Sequence, residues 1–558
     1  MSAELGLAAR VIELVREVAG RSAEAEVVVG HRAEALTRFA NSMIHQNVAD
    51  ATTGVRLRLH LDGRTAGGST TVTGADGLRA LVERTVAAAS VSPPDPAWPG
   101  LTRPAALHVS AAHPGSGDRS GLAFGFDEAT ARATPDERAV RVRDFVEAAG
   151  GLETAGYCRT VYVSAAFANT AGQAVEGRTA EAAIDGIARV DGSDGVARLA
   201  ACRLADLDGA VLGARAAAKA RAARQPAELP PGEYEVVLEP DAVADLLENF
   251  ATFGFNGKAF VQRQSFAQLG AAQFDPSVTI VDDALGSRGE PAPGLPFDDE
   301  GTPRRTLVLV RDGVTTAVAH DRTSAAQDGT ESTGHASAVS RSWGPLPTHM
   351  RLEAADRPAT AAAGAGTVHA GAAYAGASRA GAAQASAAQA SAAQAGAAQV
   401  SAAQPGAAHA GAAQPGAAQP GAAQPGAAQP GAAQAGAGHS GAGSDGAGMI
   451  AESARPLVAR MRRGLLVTDL WYTRVLDPKS LVVTGLTRNG VWLVEDGEIV
   501  SAVGGLRFTQ SYPQALAPGR VLGIGTEAVL LPQAWGRARY AAPALHLASW
   551  NITGNASG

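Results

Sequence analysis

Asp245, Glu248 and Asn249 fall within one helical turn of each other in the stretch 239–264, EPDAVADLLENFATFGFNGKAFVQRQ. Pro240-Asp241 reads as a helix start. Val243, Leu246, Leu247 and Phe250 recur at three- and four-residue spacing, which predicts a helix over 241–255 with one apolar face. A helix entered from a strand such as 233–239, EYEVVLE, is where a zinc peptidase carries His-Glu-x-x-His. Zinc that activates water takes about three protein ligands plus an open position, with a carboxylate nearby as general base. None of the 12 histidines in this chain is followed by glutamate. Glu248 alone on such a helix more simply faces solvent or pairs with a neighbouring cation.

Other groupings offer less. Asp298, Asp299 and Glu300 form an acidic turn that could hold a cation, although such turns are more often solvated loops. His320-Asp321 and His335, with Ser324 and Ser332, have the residue types of a serine hydrolase, but no G-x-S-x-G elbow accompanies them. Asp191-Gly-Ser-Asp194 reads as a turn. The segment 485–490, with Arg488, reads as a hairpin or as one side of a peptide groove. Cys158 and Cys202 make no metal-ligand spacing and read as reduced, packed thiols.

The elements that must position these residues lie in a chain of 558 residues, too long for one core. Its net charge of -7 is mild and interspersed, which excludes the basic stripe of a nucleic-acid binder. The N-terminal segment MSAELGLAARVIELVREVAG is interrupted by charges and reads as an amphipathic helix rather than a leader. No window approaches the ~18 uncharged apolar residues of a membrane span. A soluble, cytoplasmic protein is the expectation.

The fold class expected is α+β: an N-terminal antiparallel sheet with helices on one face, and a C-terminal strand-rich, barrel-like domain interrupted by a disordered insert. Residues 1–225 make the first region, with subregions 1–95 and 130–225. Strands are expected at 25–31 and 35–41. Val55, Leu57, Leu59 and Leu61 alternate with polar residues ahead of the Asp62-Gly63 hairpin signal. Helices are expected at 74–89, 136–149 and 205–223. Residues 230–354 and 449–558 make the second domain, with strands at 279–283 and across Asp312-Gly313, and several more over 464–530 joined by Asn-Gly or Asp-Gly turns. Between them, 355–448 is mostly Ala, Gly, Gln, Pro, Ser and His. Its five-residue A-A-Q-P-G repeat over 402–431 matches no heptad or solenoid, and it holds little to bury. It reads as a disordered insertion within one domain.

Four stretches in order resemble the TldD/PmbA (modulator of DNA gyrase) metallopeptidase family: RFANSMIHQNVADATTGVRLRLHLDGRTAGGST, PFDDEGTPRRTLVLVRDGVTTAVAHDRTSAAQDGTESTGHA, GLLVTDLWYTRVLDPKSLVVTGLTRNGVWLVEDGEIVSAV and the terminal LHLASWNITGNASG. The resemblance covers nearly the whole chain outside the insert. It implies that one branch carries His-Glu-x-x-x-His on the helix after the first C-terminal strand, completed by a cysteine in the C-terminal sheet, and cuts extended or unfolded peptides. The other branch lacks the motif and forms a heterodimer with the first. Here the corresponding helix offers Asp245, Glu248 and Asn249, and both cysteines precede residue 203. The resemblance therefore implies a non-catalytic TldE/PmbA-like subunit with no cofactor of its own, zinc belonging to a same-family catalytic partner. The alternatives are a stand-alone peptide-binding or scaffold protein, or an active metallopeptidase with a rearranged, carboxylate-rich site around Asp245 and Glu248.

Overall fold

The computed structural model describes residues 1–108, 125–286, 294–355, 448–532 and 538–556. The stretch read as a disordered insert lies outside the described residues, apart from its edges.

The N-terminal part runs α1 (Ala3–Ala19), β1 (Glu24–Ala40), β2 (Met43–Leu61), β3 (Arg64–Thr70), α2 (Ala75–Val91), α3 (Glu128–Ala131), α4 (Pro135–Ala148), β4 (Glu153–Asn169), β5 (Ala174–Val190), β6 (Ser193–Ala201) and α5 (Gly209–Ala222). Its six strands form one antiparallel sheet in the order β3-β2-β1-β4-β5-β6. Alternation decides its faces. Val27, Val29, Val55, Leu57 and Leu59 turn to one side, where Val11, Val15, Leu78 and Leu81 of α1 and α2 cover them. Phe39, Cys158, Ala182 and Ile184 continue that side under Val142 and Phe145 of α4 and Leu212 and Ala216 of α5. The helices thus share one face, as the alternation predicts.

Asp62 and Gly63 turn at φ 48° and 73°, the two left-handed residues of a tight hairpin. Pro135 opens α4 behind a Thr134–Glu137 capping box. One expectation needs correction: 25–31 and 35–41 are not two strands but the single β1. Its polar middle, through Ala33, pairs with Ala51 on one side and Tyr162 on the other, and pairing on both edges carries the strand through residues that no helix covers.

The C-terminal part runs β7 (Gly232–Leu238), α6 (Pro240–Asn249), α7 (Gly257–Val261), β8 (Val278–Asp282), β9 (Leu307–Arg311), β10 (Val314–Thr315), α8 (Arg322–Asp328), α9 (Ser340–Trp343) and β11 (Met350–Ala354). It resumes with α10 (Arg455–Val458), β12 (Arg463–Asp477), β13 (Val482–Glu495), β14 (Glu498–Ala502), β15 (Leu506–Ser511), α11 (Tyr512–Ala515), β16 (Val521–Ile524), β17 (Val529–Leu531), β18 (Tyr540–Ala542) and β19 (Leu545–Asn555). One sheet has the order β10-β9-β8-β11-β18-β17. In the other, β12-β7-β19-β15-β13 closes on itself because β13 also pairs with β12. This closed ring is the barrel-like body expected, and closure leaves its members without a bare edge.

Helix α6 packs against strands of both sheets. Val243, Leu246, Leu247 and Phe250 are fully buried, and Phe250 meets Phe266 and Phe274 edge-on at 5.7 and 5.8 Å. The α-helix ends earlier than its apolar spacing suggests. Phe255 N–H bonds Phe250 C=O at 2.7 Å, so residues 250–254 form a π-turn that keeps Phe255 in the same core. A second correction concerns Asn489-Gly490, which does not join two strands. It lies inside β13, at φ 60° and 126°, where β12 loses register between Val467 and Asp469. The Asp496-Gly497 turn, between β13 and β14, is where the sequence puts one.

Candidate functional site

Asp245 and Asp241 of α6 face β12 and the N-terminal sheet respectively. Asp245 is partly buried and fully engaged. Its Oδ1 accepts from the Thr473 hydroxyl at 2.7 Å, and its Oδ2 accepts from the Tyr512 hydroxyl at 2.6 Å and from Asn249 Nδ2 at 3.2 Å. Burial pushes the Asp245 carboxyl up to about 7, although the Tyr512 and Thr473 hydrogen bonds oppose the rise. Glu248 sits on the exposed side of the helix. One turn before Asp245, Asp241 faces Arg198 of β6 at 3.3 Å, and Arg198 also reaches Asp469 of β12 at 3.3 Å. Burial, with Asp469 nearby, raises Asp241 to about 6 against the pull of Arg198. At the helix start Glu239 accepts from Lys219 Nζ at 2.6 Å and from Ala451 N–H at 2.8 Å. Burial would raise Glu239, but Lys219 and these bonds hold it below its ordinary value.

These residues do not fit zinc. Both oxygens of Asp245 are committed to hydrogen bonds, Asn249 presents its N–H side, and Asp241 is turned to a guanidinium. Among the described residues no three His, Cys, Asp or Glu side chains are placed to hold a metal ion. Both thiols lie in the N-terminal region, where burial raises Cys158 and Cys202 to about 12 and keeps them protonated.

The other face of the N-terminal sheet meets a layer of C-terminal loops around a cavity of about 630 Å³. Its base is a charge network. Arg322 pairs with Glu26 of β1 and, at 3.1 Å, with Glu300; Arg58 of β2 reaches Glu26 at 3.2 Å and Glu300 at 3.1 Å. Trp98 stacks on His60 at 4.8 Å and lies 4.6 Å from the Arg58 guanidinium. Burial lifts Glu26 to about 7 despite Arg322.

Several sequence candidates sit in this layer. Asp298 accepts from the backbone N–H groups of Glu300, Thr302 and Ala336 at 2.9 Å each, and Asp299 pairs with Arg56 at 2.9 Å. With Glu300 held by two arginines, the acidic turn is a joint between the two parts of the chain. Ser324 lies 3.1 Å from His320 Nδ1 but donates to Asp321 Oδ1 at 2.7 Å within the capping box of α8. His335 Nε2 is 3.1 Å from Asp282, and its Nδ1 is 2.8 Å from the Thr333 hydroxyl, which also bonds the His320 backbone, so His335 is linked to that segment through Thr333 rather than to Ser324. Ser332 hydrogen-bonds the His320 carbonyl at 3.3 Å. Asp194 pairs with Arg189 across the β5–β6 turn at 2.7 Å, and Arg488 stacks on Trp471 at 4.6 Å on β12. The sequence reading missed the cleft itself. Its signal was present in Arg56, Arg58 and His60, which alternate with the buried Val55, Leu57 and Leu59.

A closed β-ring and a second sheet enclosing a buried helix, preceded by a six-stranded layer with helices on one face, make a two-part α+β architecture. The model for the PmbA/TldA metallopeptidase C-terminal domain matches residues 231–365 and 427–554, and that for PmbA/TldA metallopeptidase domain 1 matches 25–89. The chain belongs to this TldD/PmbA family. Among solved structures it is similar to TldE from Thermococcus kodakarensis, at 16% identity and a TM-score of 0.70 over 98% of this chain and 100% of that one. It is also similar to two proteins described as DNA gyrase modulators. The one from Thermotoga maritima has 16% identity and a TM-score of 0.66, covering 98% of this chain and 99% of that one. The one from Bacteroides thetaiotaomicron has 14% identity and a TM-score of 0.67, covering 98% of each. Comparison with curated proteins gives no match. Among the described residues no helix is long and apolar enough to cross a membrane.

Proposed function

We propose that this chain is a non-catalytic, TldE/PmbA-like subunit that pairs with a same-family zinc peptidase and helps it act on extended or unfolded peptides in the cytoplasm. The observation that carries the reading is the Asp245–Tyr512–Thr473–Asn249 cluster, which fills with internal hydrogen bonds the helix positions where the catalytic branch is expected to hold zinc. Zinc and its bound water belong, on this reading, to the partner. This chain supplies a wall of the peptide chamber and, at the cleft above the Glu26–Arg322 network, groups that hold the substrate chain.

The test is to purify the chain from its native cell and assay an unstructured peptide. Stoichiometric recovery of a His-Glu-x-x-x-His protein, with cleavage that needs both chains, is the expected result. Zinc-dependent cleavage by the isolated chain, abolished by a chelator, would refute the reading. The cleft also supports a second reading, a stand-alone peptide-binding protein. That reading predicts peptide binding with no peptidase recovered.

A further inference from the structure

Beside the large cavity lies a smaller one of about 230 Å³, lined on both sides by the Val28, Arg56, Asp299 and Ser337 that it shares with its neighbour. Its floor is the outer face of the N-terminal sheet, with Val161, Val163 and Ala165 of β4, and its roof is Leu295 and Phe297. At the ~30 Å³ share of a liquid water, that space suits roughly the bulk of one apolar residue.

Four arginines, Arg32, Arg56, Arg304 and Arg539, reach this apolar chamber. Three have carboxylate partners: Arg32 with Glu34 at 2.8 Å, Arg56 with Asp299 at 2.9 Å, and Arg539 with Glu181. Arg304 differs. Its Nη1 donates to the Thr348 hydroxyl at 3.1 Å and lies 3.4 Å from His349 Nδ1, while its Nε is buried without a hydrogen-bond partner. Among the described residues no carboxylate forms an ion pair with it, although the buried Asp282 and Asp298 lie within reach of its charge. A guanidinium presents a planar fork that matches a carboxylate.

We infer that the smaller cavity receives the C-terminal end of a peptide lying in the larger cleft, its last apolar side chain against Val163 and Phe297 and its terminal carboxylate on Arg304. The inference deepens the peptide-handling reading and rests on it. The larger cavity borders Thr65, Gly67 and Ser69 of β3, the terminal strand of its sheet, and adjoins the smaller one at Val28, Arg56, Asp299 and Ser337.

The test uses the isolated full chain and a dye-labelled octapeptide ending in leucine, as the free acid and as the C-terminal amide, read by fluorescence polarisation. The acid is expected to bind at least tenfold tighter. Arg304→Gln should bring the acid to within twofold of the amide and leave the amide unchanged, and Arg304→Lys should retain part of the difference. Thermal melting verifies that both variants fold. N-acetyl-leucine should compete, whereas inorganic phosphate at the same concentration should not. Equal binding of acid and amide, no binding of the acid, discrimination that survives Arg304→Gln, or equal competition by phosphate would each overturn the assignment. Because no peptidase partner is present, a failed subunit reading leaves the acid–amide difference standing, and a failed pocket leaves complex formation untouched.

Discussion

Replacing Asp245 by asparagine should stabilise the protein, and more at neutral to alkaline pH than at pH 5. Burial pushes the Asp245 carboxyl up to about 7, well above the usual carboxylate range, because it disfavours the charged form. An acid raised in the folded state contributes stability that is fully present below its unfolded pKa and is lost as pH rises through the folded one. The shift is about three units, and at about 1.4 kcal/mol per unit it amounts to a loss of about 4 kcal/mol between pH 4 and pH 8. Asp245 keeps some contact with solvent, so the gain expected from Asp245→Asn at pH 8 is about 2–4 kcal/mol. About two of the three units lie between pH 5 and pH 7. The benefit at pH 8 should therefore exceed that at pH 5 by about 2–3 kcal/mol. Asparagine keeps one acceptor for the Tyr512 hydroxyl, and its amide N–H can donate to Thr473, so the neutral network is nearly preserved. The assay is urea unfolding followed by tryptophan fluorescence at pH 5 and pH 8, comparing midpoints at a common slope. A variant less stable than the parent at pH 8, or one with the same difference at both pH values, would refute the account of Asp245 as a buried carboxyl without a cation.

Tyr512→Phe removes the 2.6 Å hydroxyl from the same carboxylate; it should cost about 1–3 kcal/mol above pH 7 and less at pH 5, by the same urea assay. Arg322→Met leaves Glu26 and Glu300 buried with Arg58 alone between them. The expected loss is about 3 kcal/mol, the lower part of the range for a broken buried pair, seen as a lower unfolding midpoint. Gly213→Ala would place a Cβ 2.1 Å from the Phe145 carbonyl oxygen where α5 crosses α4; the backbone has little room to yield, so a loss near 3 kcal/mol is expected by calorimetry. Removing 360–447 shortens a connection whose closure entropy depends only on the logarithm of its length, about 0.6 kcal/mol per doubling. The melting temperature should move by no more than about 2–4 °C.

What could be read in the chain and what could not divide by sequence separation. Asp62-Gly63, the Thr134–Glu137 start of α4 and the alternation through Val55, Leu57 and Leu59 are local signals, since the residues that cause each structure are within a few positions of one another. The single strand β1 was not legible as one, because the pairing that carries it through His31–Glu34 comes from Thr53–Asp50 on one edge and Ser164–Val161 on the other. Asn489-Gly490 has a turn's composition, yet β12 and β15 hold its strand together on either side, and tertiary pairing overrides the dipeptide. The candidate site shows the same division. Position 245 could be placed on a helix from its neighbours alone, but its state depends on Thr473 and Tyr512, 228 and 267 residues away. Arg322 and Glu26 are 296 residues apart, so the network beneath the cleft has no sequence motif to announce it. This separation also bears on function. A zinc motif is local, two histidines on one turn, and its absence from 239–264 is visible at once. The replacement is non-local, a carboxyl whose partners come from β12 and α11. Substituting histidines alone at 241 and 245 would therefore leave Tyr512, Thr473 and Arg198 facing the wrong groups. The helix is held by its surroundings in a packed, hydrogen-bonded cluster, and the larger cavity lies where the chain's two parts meet.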